Sequence, residues 1–168
     1  MSPVPQVLAA SLALALCSCS SNDSSGPEGS ADAADATSAV PADATALFSF
    51  LQSGGYQDML PEPSVHPSAG PHGDVRVYFE DSLAKSLDGQ ATVHPRGATA
   101  IKELYSGSTL YGWAVMVKTG SASDASDWYF YENSSTTDGS SPVANGNALP
   151  GCASCHSTGV DFIRSRAP

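Results

Sequence analysis

Cys152, Cys155 and His156 stand in the segment LPGCASCHSTGVDFIRSRAP, residues 149–168, where thirteen residues follow Cys155 in a sequence of 168. The spacing CxxCH brings both thiols to one side of a tight turn and sets an imidazole beside them. That set suits covalent attachment of haem c, with the thiols on the vinyl groups and His156 as proximal ligand to the iron. Other uses of the residues fit less well. A redox CxxC opens a helix early in a βαβ unit, and this one lies at the far end of the chain. A zinc site wants four ligands, usually with a further Cys or His pair, which the sequence lacks.

Position narrows the haem reading. Small electron-transfer cytochromes carry CxxCH near their N-terminus and take a Met ligand from far downstream. Here Met59 and Met116 both precede Cys155 and none follows it. Met116 is either a sixth ligand or a packed core residue. Helical-bundle cytochromes place CxxCH late but need four long amphipathic helices, and this chain has β-rich runs instead. In VHPSAGPHG, His66 and His72 either reach the haem edge or a metal, or are plain turn residues. Asp161 either hydrogen-bonds near the proximal side or is a solvated residue of the tail.

The elements that must position these residues follow from periodicity. Residues 42–53 predict a short helix capped by Asp43, with Ala44, Leu47, Phe48 and Leu51 on one face and Gly54 as stop. A proline-rich loop covers 60–73. DVRVYFED, 74–81, alternates as a strand, with Val75, Val77 and Phe79 on one face and Arg76 and Tyr78 on the other. Residues 81–89 predict a two-turn helix capped by Asp81. Further strands are expected at 98–105, 112–119 and 127–133, and a loop at 138–147. On the second of these four strands Lys102 shares a face with Ala100 and Leu104. It either reaches a pocket or pairs at the surface with Glu103 or Glu80. The fold class is α+β: a mainly antiparallel sheet with a few short packed helices and the haem c site at its C-terminal end.

The N-terminal part is of another kind. VLAASLALAL, 7–16, is too short for a membrane span of about 30 Å and fits a secretory signal. Leu16-Cys17-Ser18-Cys19 is similar to a bacterial lipobox, with Cys19 the residue to be lipidated, although MSPVPQ lacks the usual Lys or Arg. Residues 20–46 hold Ser, Ala, Asp, Gly and Pro without aromatics, a composition that cannot offset the entropy of ordering. The expected organisation is a lipoprotein signal peptide over 1–18, a disordered tether over 19–46 and a haem c domain over 47–168. The net charge is −10. Five acids fall in the tether, leaving 12 acids and 7 bases, or −5, on the domain. This balance disfavours nucleic acid, which is bound through Lys and Arg.

Taken together, VRVYFED, HPRGATAIKELY, GWAVMVK, DWYFYE and the Asp161-Phe162-Ile163 that follows CxxCH resemble the cytochrome P-460 family, including cytochrome c-prime-beta, over about residues 50–168. The resemblance implies a β-rich fold, commonly a homodimer, holding a five-coordinate haem c with an open distal face. It implies a small-molecule ligand: hydroxylamine or nitric oxide in the oxidising members, small gases in the c-prime-beta members. Lys102 matches the lysine that the name-giving members bond to the porphyrin. Arg76 matches the strand arginine, which orients a polar or anionic distal ligand. These two are the implied catalytic residues. The sequence departs from the oxidising members in having no Asp or Glu between Asp138 and Cys152, where they carry a pocket carboxylate that accepts protons. Glu132 is either its substitute or a surface acid. The expectation is an exported, lipid-anchored periplasmic haem protein that oxidises a small nitrogen species and passes electrons to a redox partner protein. The alternatives are a gas-binding cytochrome without turnover and a simple electron carrier.

Overall fold

In the computed structural model, residues 39–166 are described. The segment read as a signal peptide, Cys19 and the part read as tether up to residue 38 lie outside them. An α-helix, α1 (Ala44–Gln52), opens the fold, and the Asp43 carboxylate caps it by accepting from the Ala46 N–H at 2.9 Å. Two short strands follow in the proline-rich segment, β1 (Leu60–Pro61) and β2 (His66–Pro67). Then come β3 (Asp74–Phe79), α2 (Asp81–Asp88), β4 (Thr99–Ser106), β5 (Thr109–Lys118), β6 (Trp128–Asn133), β7 (Ala144–Asn147) and α3 (Pro150–His156). The strands form one seven-stranded sheet in the order β1-β3-β4-β5-β6-β7, with β2 also paired to β3, and every pairing is antiparallel. Among the described residues the fold is α+β, with a mainly antiparallel sheet and three short α-helices.

Three local expectations change. The last residues assigned to the tether belong to the fold: Val40 is buried and α1 begins at Ala44. The cap of α2 is Glu80 rather than Asp81. Glu80 is still extended at the end of β3, and its carboxylate accepts from the Ser82 and Leu83 N–H groups. The segment read as loop at 138–147 ends in β7, whose ANGN sequence lacks the β-branched residues that mark a strand.

Alternation gives the sheet two unlike faces. On one, Tyr78, Ile101, Trp113, Val115, Val117, Tyr129 and Tyr131 pack against Leu47 and Leu51 of α1. On the other, Val77, Phe79, Ala100, Met116, Trp128 and Phe130 meet Leu83 of α2, Ile163, and partly buried residues of α3. Gly112 of β5 lies so near β6 that a Cβ there would come within 2.0 Å of the Asn133 carbonyl oxygen.

Candidate functional site

The second face is not filled. Between β3–β7, the loop before β3 and α3 lies a cavity of about 480 Å³, lined by Val77, Ala100, Lys102, Ala114, Met116 and Phe130 from the sheet, among others. That volume is in the range of small-molecule and cofactor pockets. Small side chains make the room: Ala100, Ala114 and Ala144 line the cavity, while neighbouring positions on the opposite face carry Ile101 and Trp113.

Cys152, Cys155 and His156 all line this cavity. Pro150 occupies the first turn of α3, where its missing N–H costs no helical bond. The expected tight turn is therefore a short helix. Residues three apart on a helix share a face, so both sulfurs come to one side. Both cysteines are free thiols. Burial pushes the Cys152 thiol pKa up, and Cys155 Sγ accepts from Arg164 Nη1 at 2.9 Å.

His156 is positioned by the chain just after it. Its Nδ1 lies 2.9 Å from the Phe162 carbonyl oxygen. A carbonyl only accepts, so Nδ1 carries the proton and Nε2 keeps the lone pair that a metal ligand needs. Burial drives the imidazole pKa down to about 4, against a raising effect of the Phe162 bond and with Lys102, His72 and Arg164 adding to the fall. The ring is neutral at pH 7.

The Phe162 carbonyl is itself held by an unusual turn. Val160 and Ile163 pair as a bridge, closing Asp161 and Phe162 at φ 42° and 67°. Left-handed backbone of this kind costs a non-glycine residue about 1–3 kcal/mol and persists when its surroundings fix it. Here the fixing group is Asp161. Its buried carboxylate pairs with Lys118 Nζ at 2.8 Å and accepts from the His94 N–H at 2.8 Å and from Trp128 Nε1 at 3.4 Å. Burial alone would raise the Asp161 pKa, but these partners hold it below the ordinary value. Lys118 also stands 4.9 Å from the Trp128 ring centre. Asp161 thus acts one residue away from Phe162, the partner of His156, and it is buried rather than solvated.

The other sequence candidates divide. Lys102 reaches the cavity, and burial lowers its amine pKa, with Arg164 adding to the effect. Met116 lines the cavity and belongs to the packed core on that face, whereas Met59 packs on the α1 side. Arg76 is not among the cavity residues. Alternation turns it away from Val75 and Val77, where Nε donates to the Glu62 carbonyl at 2.9 Å and the guanidinium lies 5.3 Å from the Tyr78 ring centre. The cavity's arginines are Arg164 and Arg166 of the tail. His66 is held by the Pro67 carbonyl and by the Glu62 carboxylate at 2.8 Å, both of which raise its pKa.

Glu132 is partly buried. It shares a sheet face with Phe130 and lines the cavity, with His72 Nδ1 3.3 Å from its Oε2. That separation is within ion-pair range, yet its geometry is not that of a hydrogen bond, and His72 Nδ1 is buried without one. The sequence left Glu132 and His72 open as pocket residues, and nothing in it marked Arg164 as part of the wall. The alternation of β6 carried the signal for the first.

These residues fit a covalently held haem. Among the described residues no three His, Cys, Asp or Glu side chains gather to hold a bare ion. A metal carried in a porphyrin needs only an axial nitrogen and anchoring thiols from the protein, and α3 offers both at the wall of an apolar cavity. Among the described residues no helix is long and apolar enough to cross a membrane. No protein-family model matches the chain, and neither the curated proteins nor the solved structures contain a match to it.

Proposed function

We propose that this chain is an exported c-type haem protein of the cytochrome P-460 kind that acts on a small nitrogen species, hydroxylamine or nitric oxide. One observation carries the reading: a CxxCH helix walls a cavity of about 480 Å³, with its histidine neutral and oriented through Nδ1. Attachment needs no oxidant. Each S–H bond breaks, a C–S bond forms to a vinyl carbon, and the hydrogen goes to the other vinyl carbon. Export and a lipid anchor at Cys19 belong to the same reading and are supported by the apolar run 7–16.

When bound, haem supplies a binding position for the nitrogen ligand and a route for its electrons. The chain supplies the rest. Val77, Met116 and Phe130 give the cavity apolar walls. Oxidation of hydroxylamine to nitric oxide releases equal numbers of protons and electrons. Of the two cavity carboxylates, Glu62 is held by the Val77 N–H and His66, so Glu132 is the one placed to accept a proton, and the electrons go to a redox partner protein. Lys102, whose amine pKa burial lowers, is the amine in the cavity wall and the residue placed to touch a porphyrin held there.

The test uses holoprotein from a host that attaches haem c, mixed with hydroxylamine and an artificial electron acceptor. Acceptor reduction is expected, and Glu132→Gln is expected to lower its rate by about 10²-fold or more. Nitric oxide binding without any acceptor reduction would replace the catalytic reading with gas binding.

A further inference from the structure

We infer that His72 is a second protein ligand to the group held by His156, closing the far side of the iron until a small ligand displaces it. The inference rests on the haem reading above and adds a gate to that site.

The geometry comes first. The rings of His72 and His156 stand 6.4 Å apart, centroid to centroid, with planes inclined at 59°. A metal–imidazole bond is about 2 Å long, so imidazoles on opposite sides of one ion have centroids roughly 6 Å apart. The inclination is no obstacle, because both planes can contain the axis through the ion while being rotated about it. Both rings line the same cavity.

The second observation is the environment of His72. Its Nδ1 is buried without a hydrogen bond and sits 3.3 Å from Glu132 Oε2. A slight ring rotation makes that contact a donated hydrogen bond. A ligating histidine commonly donates its other ring N–H to a carboxylate or carbonyl, which fixes the tautomer and strengthens the free nitrogen as a donor. His156 has the Phe162 carbonyl for this purpose, and His72 has Glu132.

The third is the carrier. His72 sits on the loop between β2 and β3, closed by Ser68 N–H to the Gly73 carbonyl at 2.7 Å, with Gly73 at φ 69°. A loop side chain can withdraw without breaking a strand pairing. Met116, the competing donor, lies within β5 and is packed among Ala100, Trp128 and Phe130. Lys102 lies within β4.

The experiment begins with the intact mass of purified holoprotein, which reports whether haem is attached. No attached haem would overturn both this inference and the reading beneath it. With haem attached, absorption and electron paramagnetic resonance spectra of ligand-free protein report the coordination. The inference expects six-coordinate low-spin iron in the wild type. It expects high-spin iron in His72→Ala, return to low spin on adding imidazole, and nitric oxide association at least about tenfold faster in the variant, as a vacated site requires. Five-coordinate high-spin iron in the wild type would overturn the inference and leave the open-site reading standing. So would low-spin iron unchanged in His72→Ala. The wild-type spectrum tests the inference even if the variant does not fold.

Discussion

The two faces of the sheet use neighbouring residues of the same strands for opposite ends. On the α1 face, tyrosine and tryptophan fill the space, and their polar atoms pair with one another. Tyr56 Oη donates to Glu103 Oε1 at 2.6 Å, Trp113 Nε1 donates to Tyr56 Oη at 3.1 Å, and Tyr105 Oη donates to Glu103 Oε2 at 2.7 Å. On the α3 face, alanines leave a cavity whose wall holds thiols, imidazoles, an amine and two carboxylates, Glu62 and Glu132. The first face is a closed core and the second is a site. Side-chain size at alternate positions, rather than strand order, decides which face of this sheet encloses the candidate site.

The largest expected effect falls on the cavity face. Cys152→Ala with Cys155→Ala should abolish covalent haem entirely while leaving the far-UV circular dichroism of the sheet unchanged. Next comes the buried pair beneath it. Asp161→Asn or Lys118→Met leaves one charge buried alone, which costs about 3–5 kcal/mol, read as a lower urea midpoint. Both variants should also loosen the Phe162 turn and weaken retention of the His156 orientation.

A smaller effect separates the faces by volume. Ala114→Leu puts carbon into empty space and should leave apoprotein stability nearly unchanged while hindering haem entry. Val115→Phe, one residue along on the packed face, should cost about 1–3 kcal/mol by overpacking. Equal losses from both would break the comparison. On the closed face, Tyr56→Phe removes the hydroxyl that joins Glu103 to Trp113 and should cost about 1–3 kcal/mol without altering the cavity.

The smallest effect is a contrast in pH. Burial, with Glu103 or neighbouring acids and tyrosines, pushes Tyr105 and Tyr129 up to about 12 and raises Tyr56, Tyr78 and Tyr131 as well. The unfolded phenols ionise near pH 10. Stability from this face is therefore complete below pH 10 and lost as pH rises toward 12. The cavity side behaves oppositely. Burial lowers the His94 pKa, so the unfolded chain binds more protons below about pH 6.5 and stability falls as pH falls from there. Asp161, also lowered, adds a loss at more acid pH. Urea midpoints of the apoprotein against pH check both limbs.

Much of this division was legible from residues alone. The alternation of 74–79 separates Val75 and Val77 from Arg76, and that separation holds in the folded sheet. The family resemblance drew Arg76 toward the ligand, while the strand period turned it away. Lys102 and Glu132 reach the cavity by the same period. What the sequence withheld depends on long-range contact. The pairing of Lys118 with Asp161 joins residues far apart in the chain, and nothing local marks either as buried. The approach of His72 to His156 depends on a loop path through proline and glycine that periodicity does not describe. The strands β1 and β2 are pairings of two residues each, too short to show any period.

Everything proposed for the cavity depends on the chemistry of α3. The decisive measurement is the intact mass of the protein after expression with a haem c attachment system, under denaturing conditions that strip non-covalent ligands. The account expects a mass increase of one haem and the loss of both titratable thiols, Cys152 and Cys155. An unchanged mass with both thiols free would contradict it.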